Sequence, residues 1–363
     1  STQELGEVVV TALGIKKQKK SLGYAVQELK GTSLVEAREP NIANALSGKV
    51  AGLQVVKSSA GPGGSSKLVL RGFNSLTGDN QPLIVVDGVP MDNFTGASNN
   101  DYWNPSLDMG NGIADINPED IESLSVLKGP SAAALYGSRA GNGVILITTK
   151  TGRKQKGLGI TLTSSIGFES IFTRPNMQNN YGQGLDNISD PRANTSWGPK
   201  IEGQNLVNWN GVTEPLRSYD NVGNYFNTYG ITKNTSISFQ ESINKTSIYT
   251  SFNRMDDESM VPGAKLGRTN LMAKAVSKFG KDDRWTLDTK VQYTNAKANN
   301  RSVGGPNGTN PFYLLNLFPR SVDITQFKAG ADSQGNMIWF GGGSGINPYW
   351  ASKYNVNEDV RDR

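Results

Sequence analysis

The chain has 363 residues, with 37 Lys and Arg against 32 Asp and Glu, and neither cysteine nor histidine. Those two zeros exclude disulfides, thiolate nucleophiles, metal sites built on Cys or His, and any Ser-His-Asp triad. Hydrophobic residues make up 36% and mean hydropathy is −0.45, with no apolar run near the ~20 residues of a membrane-crossing helix. A barrel stays open, because its strands alternate lipid-facing with lumen-facing residues and average out as polar. The 42 glycines suit a turn-rich β architecture. A carboxylate pair of the glycosidase kind is compatible with the composition, but no pair stands out, and no cofactor is expected. The acidic tip Asp256, Asp257 and Glu258 lacks the alternating Asp/Asn pattern of a calcium loop, so no metal ion is expected either. The polar start at Ser1 is expected of a mature chain or a fragment.

Glu7, Val8, Val9, Val10 and Thr11 form a short β-prone run. Lys16, Lys17, Lys19 and Lys20 follow it without interleaved aromatics, which favours a solvated flank over nucleic-acid binding. Asn41 can cap a short helix carrying Ile42, Ala45, Leu46 and Val50, and a strand over Leu53, Val55 and Val56 comes next. Residues 58–66 (SSAGPGGSS) lack the lysine and spacing of a phosphate-binding loop. Leu68–Phe73 reads as a strand carrying Arg71, and Leu83–Val86 as a continuous apolar strand closed by Asp87-Gly88, a tight-turn pair. A helix-to-strand unit is expected over Glu119–Lys128, then a helix over Ser131–Tyr136 between Pro130 and Gly137. Asn142-Gly143 turns into a strand over Val144–Lys150. Gly137, Gly141 and Gly143 do not follow the dinucleotide-binding order.

Beyond Gly157 the pattern changes to long period-2 segments. Strands are expected over Leu158–Phe168, Lys233–Glu241, Thr246–Asn253, Arg268–Phe279 and Arg284–Thr294. In the last of these, Trp285, Leu287, Thr289, Val291 and Tyr293 share one face, opposite Arg284, Thr286, Asp288, Lys290 and Gln292. Trp285 and Tyr293 are about 26 Å apart along an extended strand. Tilt reduces this to roughly 20 Å, near the spacing of two aromatic girdles around a membrane band. Connections alternate long and short, with Glu169–Thr232 long, Ser242–Lys245 short, Arg254–Gly267 longer and Gly280–Asp283 short, as extracellular loops alternate with periplasmic turns.

The stretches NIANALSGKVAGLQV from Asn41, KLVLRGFNSLTGDNQPLIVVDGVP from Lys67 and INPEDIESLSVLKGPSAAALYGSRAGNGVILITTK from Ile116 resemble the plug domain of TonB-dependent outer-membrane transporters, specifically the SusC-like family. The resemblance implies an α+β plug followed by antiparallel transmembrane β-barrel strands. Residues 1–30 would be a leading segment and linker, 31–156 the plug, and 157–363 the first part of the barrel with its extracellular loops. The family barrel has roughly 22 strands, so five cannot close it, and a fragment or one piece of a split chain is expected. Glu7, Val8, Val9, Val10 and Thr11 would be a TonB box, which adds a strand to a periplasmic energy-coupling protein of the TonB type. Arg71, Asp87, Glu119, Glu122 and Arg139 would form ion pairs seating the plug in a polar lumen. Ligand would bind between the plug loop Met91–Asn111, through Tyr102, Trp103 and Asn104, and barrel loops bearing Trp197 and Trp209. Tyr181, Trp339, Phe340 and Trp350 are further loop aromatics.

The implied function is active import of an oligosaccharide or peptide through the outer membrane of a Gram-negative bacterium. A SusD-like surface lipoprotein would act as the lid, with outer-membrane lipid around the barrel and no nucleic-acid partner. The alternatives are a siderophore or cobalamin receptor, a non-transporting adhesin or signalling receptor, and a secreted carboxylate glycosidase. The first is disfavoured by the SusC-like stretches and an adhesin by the TonB-box-like run; a signalling receptor usually carries an additional N-terminal domain, which this chain either lacks or has lost, and the glycosidase predicts hydrolysis by the purified protein, which is not expected.

Overall fold

The computed structural model describes residues 8–10, 16–18, 26–36, 39–58, 60–75, 80–93, 107–128, 136–155, 157–341, 345–354 and 357–363. Glu7 and Thr11 lie outside them, as do most of the helix expected over Ser131–Tyr136 and the trio Tyr102, Trp103 and Asn104. At the front, β1 (Val8–Val10) and β2 (Lys16–Gln18) pair antiparallel, with Val9 opposite Lys17.

β3 (Val26–Lys30) is an edge strand of the N-terminal domain's main sheet, so that domain begins before residue 31, inside the segment expected to be linker. β4 (Leu53–Lys57) and β5 (Ser66–Leu70) pair as a separate ribbon. β5 stops at Leu70 rather than running to Phe73. Arg71 (φ 60°) and Gly72 (φ 90°) take the left-handed conformation, which breaks a ladder. β6 (Leu83–Val86), β7 (Val89–Met91), β8 (Ile121–Leu127) and β9 (Val144–Thr149) complete the sheet in the order β3-β8-β9-β6-β7. β6 and β9 run parallel and are buried on both faces, which is why both read as unbroken apolar runs. Ile84, Ile145 and Ile147 face a core with Leu34, Leu46, Leu68, Ile113 and Leu124, while Leu83, Val85, Val144 and Leu146 face a smaller one with Leu127 and Ala140. Asn41 caps the helix Ile42–Ala45 by accepting from the Ala43 N–H, and its amide reaches Ser66 and Asn111.

The second body is one antiparallel sheet. It starts with β10 (Ile160–Glu169), and small hairpins β11 (Gly184–Leu185) with β12 (Ile188–Ser189) and β13 (Asn205–Val207) with β14 (Thr213–Pro215) decorate the long segment that follows. β15 (Gly230–Ile243), β16 (Thr246–Glu258), β17 (Lys265–Phe279), β18 (Trp285–Asn299) and β19 (Glu358–Asp362) then complete the order β10-β15-β16-β17-β18-β19. A sixth strand therefore joins the five expected. The connection expected over Arg254–Gly267 shrinks to residues 259–264, because register pairs β16 with β17 as far as Glu258 and Lys265. Long and short connections still alternate, and the sheet is open among the described residues, with β10 and β19 at its edges.

Period 2 gives this wall two faces. Outward stand Ile160, Leu162, Phe239, Phe252, Leu271, Trp285, Leu287, Val291 and Tyr293, all exposed. Phe279 pairs with Trp285 at the lower rim and Leu271 with Tyr293 above it. Inward stand Tyr249, Asn253, Arg268, Asn270, Lys274 and Thr294, all buried against the N-terminal domain. The segment leading into the wall passes so close to it that a Cβ on Gly152 would lie 2.2 Å from the Ile248 carbonyl oxygen, leaving room for glycine alone. Thr289 lies midway between the outward aromatics Trp285 and Tyr293. In lipid vesicles, Thr289→Arg should cost about 2–4 kcal/mol of folding stability, whereas Thr289→Val should cost nothing. Urea unfolding of the intact protein, followed by tryptophan fluorescence, reads the difference.

Candidate functional site

The domain meets the wall through buried polar groups at successive heights. Lowest is Asp87, whose turn geometry (φ 48°, followed by Gly88 at φ 86°) projects its carboxylate past the sheet edge. The parallel β6–β9 register brings Thr149 beside it, so the Thr149 N–H (2.9 Å) and hydroxyl (2.6 Å) both donate to the carboxylate. From the wall, Lys290 approaches to 2.7 Å and Lys274 to 3.2 Å, and Lys274 also donates to the Thr149 hydroxyl at 3.1 Å. Burial alone would raise the Asp87 carboxyl. Hydrogen bonds from Lys290 and Thr149 outweigh it and hold the group below its ordinary value.

Against the neighbouring strand β16, in the same register row as Lys274 and Lys290, Asp120 meets hydroxyls instead of cations. The Tyr249 hydroxyl donates to it at 3.0 Å and the Asn117 amide at 3.1 Å. Burial raises this carboxyl, and hydrogen bonds from Ser251, Tyr249 and Asn117 do not fully offset it. Further along the wall, Asp115 takes Arg361 at 3.1 Å and Arg363 at 3.3 Å, both from the last wall strand and the residue after it. The Asn270 amide donates to the Asp115 carbonyl at 2.8 Å, and Arg268 donates to the Ala114 carbonyl. At the outer end Arg301 binds Asp359 at 2.9 Å and the Asp108 carbonyl at 3.1 Å.

The residues singled out from the sequence divide unevenly over this surface. Asp87 reaches the wall. Glu122 pairs with Arg153 in the connecting segment rather than with the wall. Glu119 sits at a wall-facing cleft of ≈ 350 Å³ that also touches Arg268. Among the described residues Arg71 and Arg139 make no salt bridge, and both are exposed. The wall's own partners Lys274, Lys290 and Arg361, and the domain's Asp115 and Asp120, went unnoticed. The available signal was a lysine in mid-strand on the polar face of a period-2 segment, as at Lys290.

Above the wall, the long connections pack into an aromatic layer around Phe318, Phe327, Phe340, Tyr225 and Tyr349. Trp209 lies 4.6 Å from the Phe327 ring and donates to Gln326 at 2.6 Å. Trp197 leans on Tyr181 at 5.9 Å but stays 57% exposed. No ring contact joins Trp197 to Trp209 among the described residues. Trp339 packs against Phe318, Phe327 and Phe340, and Trp350 stacks on Tyr354. Among the described residues no group of His, Cys, Asp or Glu has the geometry to hold a metal ion.

Residues 18–144 match the family model of the TonB-dependent receptor plug domain. The chain is 37% identical over 200 residues to the TonB-dependent receptor SusC of Bacteroides thetaiotaomicron, covering 55% of this chain and 18% of that protein. It is 31% identical over 255 residues to a TonB-dependent receptor of Formosa agariphila, covering 64% of this chain and 24% of that one. The fold superposes on the RagAB peptide importer in its open-open state with a TM-score of 0.64 and 25% identity, over 95% of this chain and 38% of that one. The chain thus spans well under half the length of these relatives.

Removing the Asp87 charge leaves buried Lys274 with only the more distant and exposed Asp288 carboxylate, 3.8 Å away. Asp87→Asn should therefore lower stability by about 3–5 kcal/mol, with much of the loss recovered by Asp87→Leu combined with Lys274→Met. Because the folded Asp87 carboxyl lies below the unfolded value of about 3.9, this contribution is complete above roughly pH 4 and fades as pH falls through the lower folded value. Urea midpoints of the wild-type and variant proteins between pH 7 and pH 3 check both statements.

Proposed function

We propose, from a chain that carries the plug domain and leading barrel strands of a SusC-like TonB-dependent outer-membrane transporter, that the protein imports a peptide or oligosaccharide across the outer membrane of a Gram-negative bacterium. The observation that carries this reading is the packing of an α+β domain, through buried carboxylates, on the polar face of a sheet whose other face is apolar. A sheet with those two faces suits a wall between lipid and a polar lumen. A domain that fills such a lumen blocks passage until it is displaced or rearranged.

Import requires work from outside the barrel. Val8–Val10, flanked by Glu7 and Thr11, suits strand addition to a TonB-type coupling protein, where main-chain hydrogen bonds supply the grip. Ligand would be held between the outward loop bearing Tyr102, Trp103 and Asn104 and the aromatic layer around Trp197 and Trp209. A SusD-like lipoprotein would close over it. Because the RagAB neighbour is a peptide importer, peptide is the first cargo to test. No catalytic step is involved, so hydrolysis of cargo by the purified protein is not expected.

Proline at position 9 removes an N–H from the strand and disfavours the extended partner ladder. Val9→Pro should abolish energised uptake of a labelled peptide digest by intact cells while leaving its binding to purified protein unchanged. Unchanged uptake would sink the energy-coupling role of this segment.

A further inference from the structure

Residues 300–357 leave β18 at the outer rim, build much of the aromatic layer and return to β19. Their two ends are tied together. The Arg301 N–H donates to Asn357 Oδ1 at 2.9 Å, and Asn357 Nδ2 donates back to the Arg301 carbonyl at 3.0 Å. From that joint the Arg301 side chain, 1% exposed, reaches into the plug. Its Nε donates to the Pro62 carbonyl at 3.3 Å, and its Nη1 to the Asp108 carbonyl at 3.1 Å and to Asp359 at 2.9 Å. Its Nη2 is buried without a hydrogen-bond acceptor and lies against Gly63, where a Cβ would approach it to 2.8 Å. Gly63 is also left-handed (φ 70°), so two independent constraints favour glycine there. The adjoining Ser302 N–H donates to the Ala60 carbonyl at 3.1 Å.

One guanidinium thus touches both outward loops of the plug, residues 60–63 and residue 108. Those loops are joined to each other, since Asp108 accepts from the Ser65 N–H and hydroxyl, each at 2.9 Å. Residue 108 closes the loop that carries Tyr102, Trp103 and Asn104. Asp359, the guanidinium's carboxylate partner, is shared with Arg361 at 3.2 Å, and Arg361 continues to Asp115. The planar fork of arginine is the side chain suited to hold two carbonyls and a carboxylate at once.

We propose that Arg301 is a positioning residue that couples the extracellular segment 300–357 to the plug's two outward loops, so that rearrangement of that segment is transmitted to the plug. The inference takes its purpose from the importer reading, but its test needs no import, so the two can fail separately.

The test is a double-mutant cycle read by hydrogen–deuterium exchange on the intact protein in detergent. Phe327, fully buried in the aromatic layer, is the perturbation. Phe327→Ala should raise exchange in peptides covering 60–66 and 107–111 by at least about threefold while Arg301 is present. In the Arg301→Met background those peptides should exchange faster at the start, and Phe327→Ala should add nothing to them. Arg301→Lys, which keeps the charge without the fork, should transmit only part of the effect. If Arg301→Met fails to fold, the same cycle with Asp359→Asn takes its place and should show reduced transmission. Equal multiplication of exchange by Phe327→Ala in both backgrounds, or no effect on the plug loops in either, would overturn the proposal.

Discussion

A carboxylate taken out of water must find cations or hydrogen-bond donors, and the rest of this molecule is arranged around how Asp87 does so. Its turn carries it beyond the plug sheet, Thr149 donates twice from the neighbouring strand, and Lys274 and Lys290 close on it from the wall. Asp120 repeats the device with hydroxyls in the same register row, and Asp115 repeats it further along the wall with guanidiniums. Such contacts contribute less net stability than apolar packing of the same area, because desolvation offsets most of the Coulomb attraction. They do set register, since a small slip leaves a buried charge unpaired. An interface made this way is specific when seated, and it does not present a continuous greasy surface when opened. That combination suits the proposed role, a domain that fills a lumen and also yields.

The wall depends on the same separation of environments. Alternation along β15–β18 places aromatic and aliphatic side chains outside and the partners of the plug inside, so one sheet serves two solvents. Lys290 and Val291 are neighbours in sequence and face opposite media. The outer connections solve a different problem, building a local core from Phe318, Phe327, Phe340 and Tyr349 away from the plug's core.

Much of this was legible where one residue type has one good structural use. Asn41 as a cap, Asp87-Gly88 as a tight turn and the two faces around Trp285 and Tyr293 follow from local chemistry. The early end of β5 at Leu70 was not legible, because Arg71 adopts a positive φ that its residue type does not advertise. The interface was only partly legible. Asp115 and Asp120 owe their positions to two successive 3-10 turns, Gly112–Asp115 and Pro118–Asp120, packed on strands more than a hundred residues later, and no spacing rule links Asp120 to Tyr249. Trp209 illustrates the same limit: nothing in its loop position shows that one of its faces packs on Phe327.

The most direct test of the proposed import is native mass spectrometry of the intact protein, extracted in mild detergent from its own outer membranes. A complex that includes a surface lipoprotein and carries bound peptide or oligosaccharide mass is the expected result. A species that holds neither lipoprotein nor ligand under conditions that preserve other outer-membrane assemblies would contradict it.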